Sequence, residues 1–264
     1  MDQPFIYKYR PLELKDFEMS AKIKELLETL VNADLLNILL VGDSGCGKTS
    51  LINCIIKNYY NSNYNSDDIL IINSLKDQGI SYYRSDVKTF CQTMCSIPNK
   101  KKFVILDDID NINEQSQQVF RNCIDKYSNN VNFIASCSNS QKVIDSYQSR
   151  VVMIKIKPLQ KFHLNNIIEK ITIKENILIE DKAKEFILSI CNNSIRTLIS
   201  YLEKFKLLDE YITYNIAINT CTNISFNDFN KYINFCISNS IPSDLPVPLL
   251  TGVSVNRHSR CNSK

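Results

Sequence analysis

Lys48 and Thr49 close the run Gly42-Asp43-Ser44-Gly45-Cys46-Gly47-Lys48-Thr49, and that spacing suits the holding of a nucleoside triphosphate. The chain has only 5 glycines in 264 residues, and Gly42, Gly45 and Gly47 all fall within this run. Glycine adopts positive φ without strain and lets a phosphate reach backbone N–H groups. Lys48 would neutralise phosphate charge, the Thr49 hydroxyl would ligate Mg²⁺, and Ser50 follows directly in the same cradle. A second cluster could complete the chemistry. Phe103-Val104-Ile105-Leu106 runs straight into Asp107-Asp108. Asp107 would hold Mg²⁺, and Asp108 would polarise a water for attack on the terminal phosphate. The bland alternatives are a chance glycine turn and an acidic surface turn.

These residues need a strand ahead of the glycines and a helix behind them. Leu36–Val41 is an apolar, strand-like run, and Ser50–Lys57 places apolar residues at helical spacing. The helix would then point its positive N-terminal end at the phosphates. Strand-like runs recur at Ile38–Val41, Asp68–Ile72, Phe103–Leu106, Val131–Ala135 and Val151–Ile156, with helical patterns between them. Such alternation predicts an α/β fold, a parallel sheet with helices on both faces, over residues 1–157. Phosphate loops of such sheets lie at the carboxyl ends of strands. From Pro158 the pattern is helical only: Leu159–Ile171, Glu180–Cys191 and Ser194–Leu207 predict a small helical domain over 158–208. Residues 209–240 continue with helix-compatible segments. Pro242, Pro246 and Pro248 then mark 241–264 as an irregular or disordered tail.

Composition narrows the class. A net charge of +3 is too mild to prove nucleic-acid binding, though it permits a local basic face. The 10 cysteines are scattered, with Cys91 and Cys95 the one close pair and no partner pair at zinc spacing, so they read as reduced core residues. No run of about 18 apolar residues predicts a membrane span. The N-terminus shows no signal-peptide pattern, so the chain is expected not to be secreted.

Taken in order, further segments resemble the small subunits of the replication factor C clamp loader, within the AAA+ ATPases. Tyr7-Lys8-Tyr9-Arg10-Pro11 is similar to E-K-Y-R-P, and Asn73–Ile80 to N-A-S-D-D-R-G-I. Asp107-Asp108-Ile109-Asp110 stands at D-E-A-D, Gln117 and Arg121 at A-Q-x-A-L-R, Gln148-Ser149-Arg150 at Q-S-R-C and Asn193-Ser194-Ile195-Arg196 at G-D-M-R. The resemblance runs from Tyr7 to about Leu207. It implies ATP as the nucleotide, with Tyr9, Arg10 and Pro11 beside the adenine. It implies Arg150 as an arginine finger serving a neighbouring subunit's site, Arg196 as the lid's sensor and Ser138 at the position of a sensor asparagine. It implies a hetero-oligomeric ring of clamp-loader subunits, a sliding clamp and primer-template DNA as partners, at a nuclear site or a cytoplasmic site of DNA replication. The helix opened by Gly79 and Ile80 would track DNA phosphates with Arg84 and Lys88; its alternative is a solvated helix face.

Some residues depart from the family. Asp108 stands where a glutamate base is usual, one methylene shorter. Asn193 replaces the lid glycine and Val151 a cysteine. Only Phe226–Cys236 resembles the family's collar, so the C-terminal region is expected to be shortened. Two other readings follow: an ATP-binding subunit that does not hydrolyse, and another AAA+ machine such as a replication initiator or branch-migration motor. Lys100-Lys101-Lys102 reads as a solvated turn rather than a DNA site. Phe90, Met94 and Ile97 read as core of an amphipathic helix.

Overall fold

The computed structural model describes residues 3–61, 65–73, 79–221 and 232–234, with residues 79–81 by backbone only. Five strands form one sheet: β1 (Ile38–Val41), β2 (Ile69–Asn73), β3 (Lys102–Asp107), β4 (Val131–Cys137) and β5 (Val152–Lys155). Their order is β2-β3-β4-β1-β5 and every neighbouring pair is parallel. Helices α1 (Phe5–Lys8), α2 (Ala21–Asn32), α3 (Lys48–Tyr59), α4 (Gly79–Gln92), α5 (Glu114–Tyr127) and α6 (Asp145–Gln148) accompany the sheet in sequence.

Side chains alternate across the strands and supply two cores. Ile38, Leu40, Phe103 and Ile105 pack with Leu51, Ile52 and Ile55 of α3. Leu39, Val104, Leu106 and Phe133 pack with Val87 of α4 and Phe120 of α5. The central strands β3 and β4 are covered on both sides, which is why they read as nearly continuous apolar runs. Each fully buried Leu or Ile contributes about 1.5–3 kcal/mol.

The remaining helices, α7 (Lys161–Glu175), α8 (Asp181–Ile190), α9 (Ile195–Leu208) and α10 (Tyr214–Thr220), enclose a third core. Leu164, Ile168, Ile171, Ile187, Leu202 and Phe205 form it. Phe5 of α1 is buried in that same core, and its N–H donates to Glu203 Oε1 at 3.0 Å. The first described turn of the chain therefore closes the helical layer. Asn176, at φ 52°, ends α7 in the left-handed conformation that Asn tolerates. The described residues up to 221 make one compact unit; residues 232–234 are helical and belong to a second. Apart from those three, the collar-like segment Phe226–Cys236 lies outside the described residues, as does the tail from Ile241.

Two expectations fail. Met94 lies beyond the end of α4 and is 79% exposed, so it is not core; Phe90 and Ile97 are partly buried, each against a different core. Lys100–Lys102 is not a solvated turn. Lys102 is buried, donating to Thr93 Oγ1 at 2.6 Å over the Phe90 ring. Lys101 pairs with Asp34 at 3.1 Å, and the Lys100 ammonium sits 4.2 Å above the Tyr59 ring. Strand β3 begins at Lys102, so the run is drawn into the protein at the sheet's amino edge. Among the described residues, no helix is long and apolar enough to cross a membrane.

Candidate nucleotide-binding site

Strand register assembles the site. Val41 lies beside Cys137 and Lys155, and Asn73 beside Asp107, so five strand ends share one edge of the sheet. The Gly42 N–H donates to the Cys137 carbonyl at 3.1 Å, which carries the glycine loop on along that edge. Gly45 and Gly47 take φ of 78° and 98°. A Cβ on Gly47 would come within 2.9 Å of the Phe17 ring, and one on Gly45 within 2.4 Å of Ser194 Oγ. Both positions thus demand glycine twice over, by conformation and by space. Gly47 is also the N-cap of α3, so the unpaired N–H groups of that helix face the loop.

Lys48 is buried, and a buried ammonium needs acceptors. Its Nζ donates to the carbonyls of Gly42 at 2.8 Å and Asp43 at 3.1 Å, and lies 3.5 Å from Ser138 Oγ. Ser138 itself is exposed, with its N–H donating to Asp110 Oδ2. Thr49 Oγ1 lies 3.4 and 3.5 Å from the two carboxylate oxygens of Asp107, too long for a strong hydrogen bond. The two oxygen donors stand together at the mouth of the loop. Mg²⁺ commonly takes one or two protein oxygens and completes its shell with water and phosphate. Thr49 and Asp107 fit that requirement.

Asp108 follows in the left-handed conformation, φ 55° and ψ 55°. Burial pushes its carboxyl above the usual range, the Asp107 charge adds to this, and Lys48 and Arg196 oppose it. Ser136 joins the two acids although no sequence motif marks it. It is fully buried on β4, donates to Asp107 Oδ1 at 2.7 Å and accepts from the Asp108 N–H at 3.0 Å. One hydroxyl therefore orients both acids. Its only signal in the sequence is a polar residue inside the apolar run Phe133–Cys137.

A cleft of about 420 Å³ opens between this edge and the helical layer. Ser44, Gly45, Gly47, Lys48, Thr49 and Ser50 line it, with Asp107, Asp108 and Arg196. Gly42, Asp43 and Cys46 belong to the loop but do not line the cleft; burial raises the Cys46 thiol. Tyr9, Arg10 and Pro11 line the other end among apolar side chains including Leu159, Ile167 and Ile199. Arg10 Nη2 donates to the Thr49 carbonyl at 2.8 Å, and Cys54 Sγ to the Pro11 carbonyl at 3.1 Å. The Tyr9 hydroxyl donates to Glu175, which Lys8 also holds at 2.7 Å. Burial and that carboxylate push the phenol up, while Lys8 and the phenol hold Glu175 below the usual carboxylate range. Asn193, in place of the lid glycine, sits at φ 59° and brings Ser194 to cap α9 just ahead of Arg196.

Arg150 does not line this cleft. It follows α6 and pairs with Asp125 on α5, Nε to Oδ1, at 2.5 Å. The buried Gln117 amide ties that region to the acids: Nε2 donates to the carbonyls of Ile109, Ile112 and Lys142, and Oε1 accepts from the Ile144 N–H. Arg84 and Lys88 are exposed, one turn apart on α4. The Ile80 side chain and the motif residues 74–78 lie outside the described residues.

This geometry has counterparts in known proteins. Residues 38–159 match the family model "ATPase family associated with various cellular activities (AAA)". That stretch is an AAA family domain. Curated relatives narrow the likeness. A putative replication factor C small subunit of Acanthamoeba polyphaga mimivirus is 28% identical, over 90% of this chain and 74% of the relative. A probable replication factor C subunit 5 of Dictyostelium discoideum is 32% identical over 83% and 64%. A replication factor C small subunit of Methanosphaera stadtmanae is 27% identical over 89% and 73%. Among solved structures, the Thermotoga maritima RuvB Holliday junction branch migration motor superposes with a TM-score of 0.66, covering 88% of this chain and 80% of that one. Its 17% identity speaks for the AAA fold alone.

Proposed function

We propose that this AAA ATPase is a small subunit of a replication clamp loader, binding ATP between neighbouring subunits and helping to load a sliding clamp onto primer-template DNA. One observation carries the reading: Lys48, Thr49, Asp107, Asp108 and Arg196 line a single cleft, while Arg150 lies outside it on another edge. A ring supplies the missing arginine from one chain to the next. In this reading Lys48 and the N–H groups opening α3 hold the β- and γ-phosphates of ATP, and Tyr9, Arg10 and Pro11 flank the base. Thr49 and Asp107 would hold Mg²⁺, which would neutralise phosphate charge. Asp108 orients the attacking water, with Ser138 and Arg196 near the terminal phosphate. Arg150 stabilises charge in the neighbour's site. The exposed Arg84 and Lys88, with Ile80 at the start of α4, track the DNA backbone without reading sequence. The proposed units are 1–157 for the ATPase layer, 158–208 for the lid, 209–240 for a collar-like segment and 241–264 for the tail. The site of action is wherever the host replicates DNA, in the nucleus or cytoplasm. Native mass spectrometry of the complex recovered on a tagged copy tests this. Other AAA subunits, with a sliding clamp retained in ATP, are expected. A monomer or a self-only oligomer overturns it.

Asp108 favours a second reading, in which the chain binds ATP and lends Arg150 but does not hydrolyse. Its carboxylate is one methylene shorter than the family's glutamate, and burial disfavours its charged form. Asp108→Glu then raises turnover at this chain's site by about 10²-fold, the low end of what a positioned base contributes. Unchanged turnover removes that reading.

A further inference from the structure

We propose that Asp125 is a positioning residue for Arg150: it grips the guanidinium at Nε and leaves Nη2 as the donor for a phosphate held by another chain. The proposal rests on the reading of Arg150 given above and adds the device that aims it.

Arginine offers five N–H donors in a rigid plane, so fixing two of its nitrogens fixes where the third points. Asp125 Oδ1 accepts from Arg150 Nε at 2.5 Å. Nη1 donates to the Ser146 carbonyl at 2.7 Å and to Ser149 Oγ at 3.2 Å. Among the described residues, Nη2 takes no hydrogen bond. Its two N–H groups are the part of the side chain left for a ligand. Asp125 is held in turn. Its Oδ2 lies 3.2 Å from Arg121 Nη2, one turn earlier on α5, and Arg121 Nη1 donates to Asn122 Oδ1 at 2.9 Å. The frame behind the pair is stiff, because the Arg150 N–H donates to the carbonyl of Tyr147, whose ring is wholly buried.

A plain surface ion pair would show the same contact, and such pairs contribute little to stability. The pair is partly exposed, so removing it should leave the fold intact while misdirecting the guanidinium. A small misplacement of a catalytic group suffices to slow a reaction about 100-fold.

The test uses the assembly recovered with its native partner subunits, carrying Asp125→Ala, Arg150→Ala or both. Single-turnover ATP hydrolysis, affinity for a fluorescent ATP analogue and the thermal midpoint are measured. Asp125→Ala is expected to slow hydrolysis roughly 10- to 100-fold without changing affinity or midpoint. Asp125→Glu recovers part of the rate. The double variant is expected to be no slower than Arg150→Ala alone, because Asp125 acts only through that arginine. Wild-type rates for Asp125→Ala beside a slow Arg150→Ala overturn the proposal and leave the reading of Arg150 intact. A double variant slowed by the full product of the two factors overturns it as well. A normal rate for Arg150→Ala removes both.

Discussion

The phosphate end of the cleft and the Arg150 edge solve different problems with different materials. At the phosphate end, conformation does the holding: Gly45 and Gly47 sit at positive φ, and Lys48 is pinned by the loop's own carbonyls. Short side chains complete it, with Ser136 bracing Asp107 and the N–H of Asp108. At the other edge one long side chain, Arg150, is held by a partly exposed carboxylate. The first arrangement is built entirely within one chain. The second holds a charge ready but offers it no substrate within its own chain. Gln117 is the physical bridge, since one buried amide bonds the segment behind Asp108 and the segment leading to α6.

The contrast breaks most visibly through Arg150→Ala. In the assembled complex, turnover at the site served by Arg150 should fall about 10³-fold or more, the size of an arginine finger's effect. ATP affinity should stay within about threefold, a change under roughly 0.7 kcal/mol. A parallel loss of affinity would make both edges parts of one binding site. Lys48→Ala is the reciprocal case. Charge-assisted hydrogen bonds to phosphate contribute about 1.5–3 kcal/mol each, so losing two should weaken ATP binding roughly 10²- to 10⁴-fold by calorimetry. Wild-type affinity in that variant would mean the backbone cradle alone holds the phosphates.

What was legible in the sequence follows the same divide. The glycine loop lies in contiguous residues, so its chemistry and both flanking elements could be read directly, and the strands at Ile38–Val41 and Phe103–Leu106 follow from apolar runs buried on both faces. Ser136 could not be read, because its partner Asp107 comes from another strand and only the β3–β4 register brings them together. Asp125 and Arg150 lie 25 residues apart, joined by the packing of α5 on α6. Lys102 looked solvated because its company, Thr93 and Phe90, sits at and just beyond the end of α4. Met94 failed as core because α4 ends at Gln92, and helical spacing has no meaning past that point.

Ser136→Ala sharpens the account of the phosphate end. It strips the Asp108 N–H of its acceptor and Asp107 of a donor, both part-buried. Leaving such groups unpaired costs about 1–3 kcal/mol, read as a lower urea midpoint at unchanged slope. An unchanged midpoint would mean water replaces the hydroxyl and the brace is not structural.

The smallest effect separates the two edges by sign. Asp108 has a carboxyl pushed up by burial and by Asp107, whereas Asp125 has one held down by Arg150. A carboxyl raised on folding binds its proton more tightly in the folded state. Its contribution is therefore present below the unfolded value and lost as pH rises through the interval up to the folded one. For a lowered carboxyl the contribution is present above the unfolded value and lost as pH falls through the folded one. In nucleotide-free protein, Asp108→Asn should thus gain stability relative to wild type as pH rises from about 3 to 7, and Asp125→Asn should lose it. Partial exposure screens both, so each difference should stay below about 1 kcal/mol. Paired urea titrations at the two pH values measure it. If both variants moved in the same direction, the two carboxylates would share an electrostatic environment, and the division between a self-contained phosphate end and an outward-facing arginine edge would not hold.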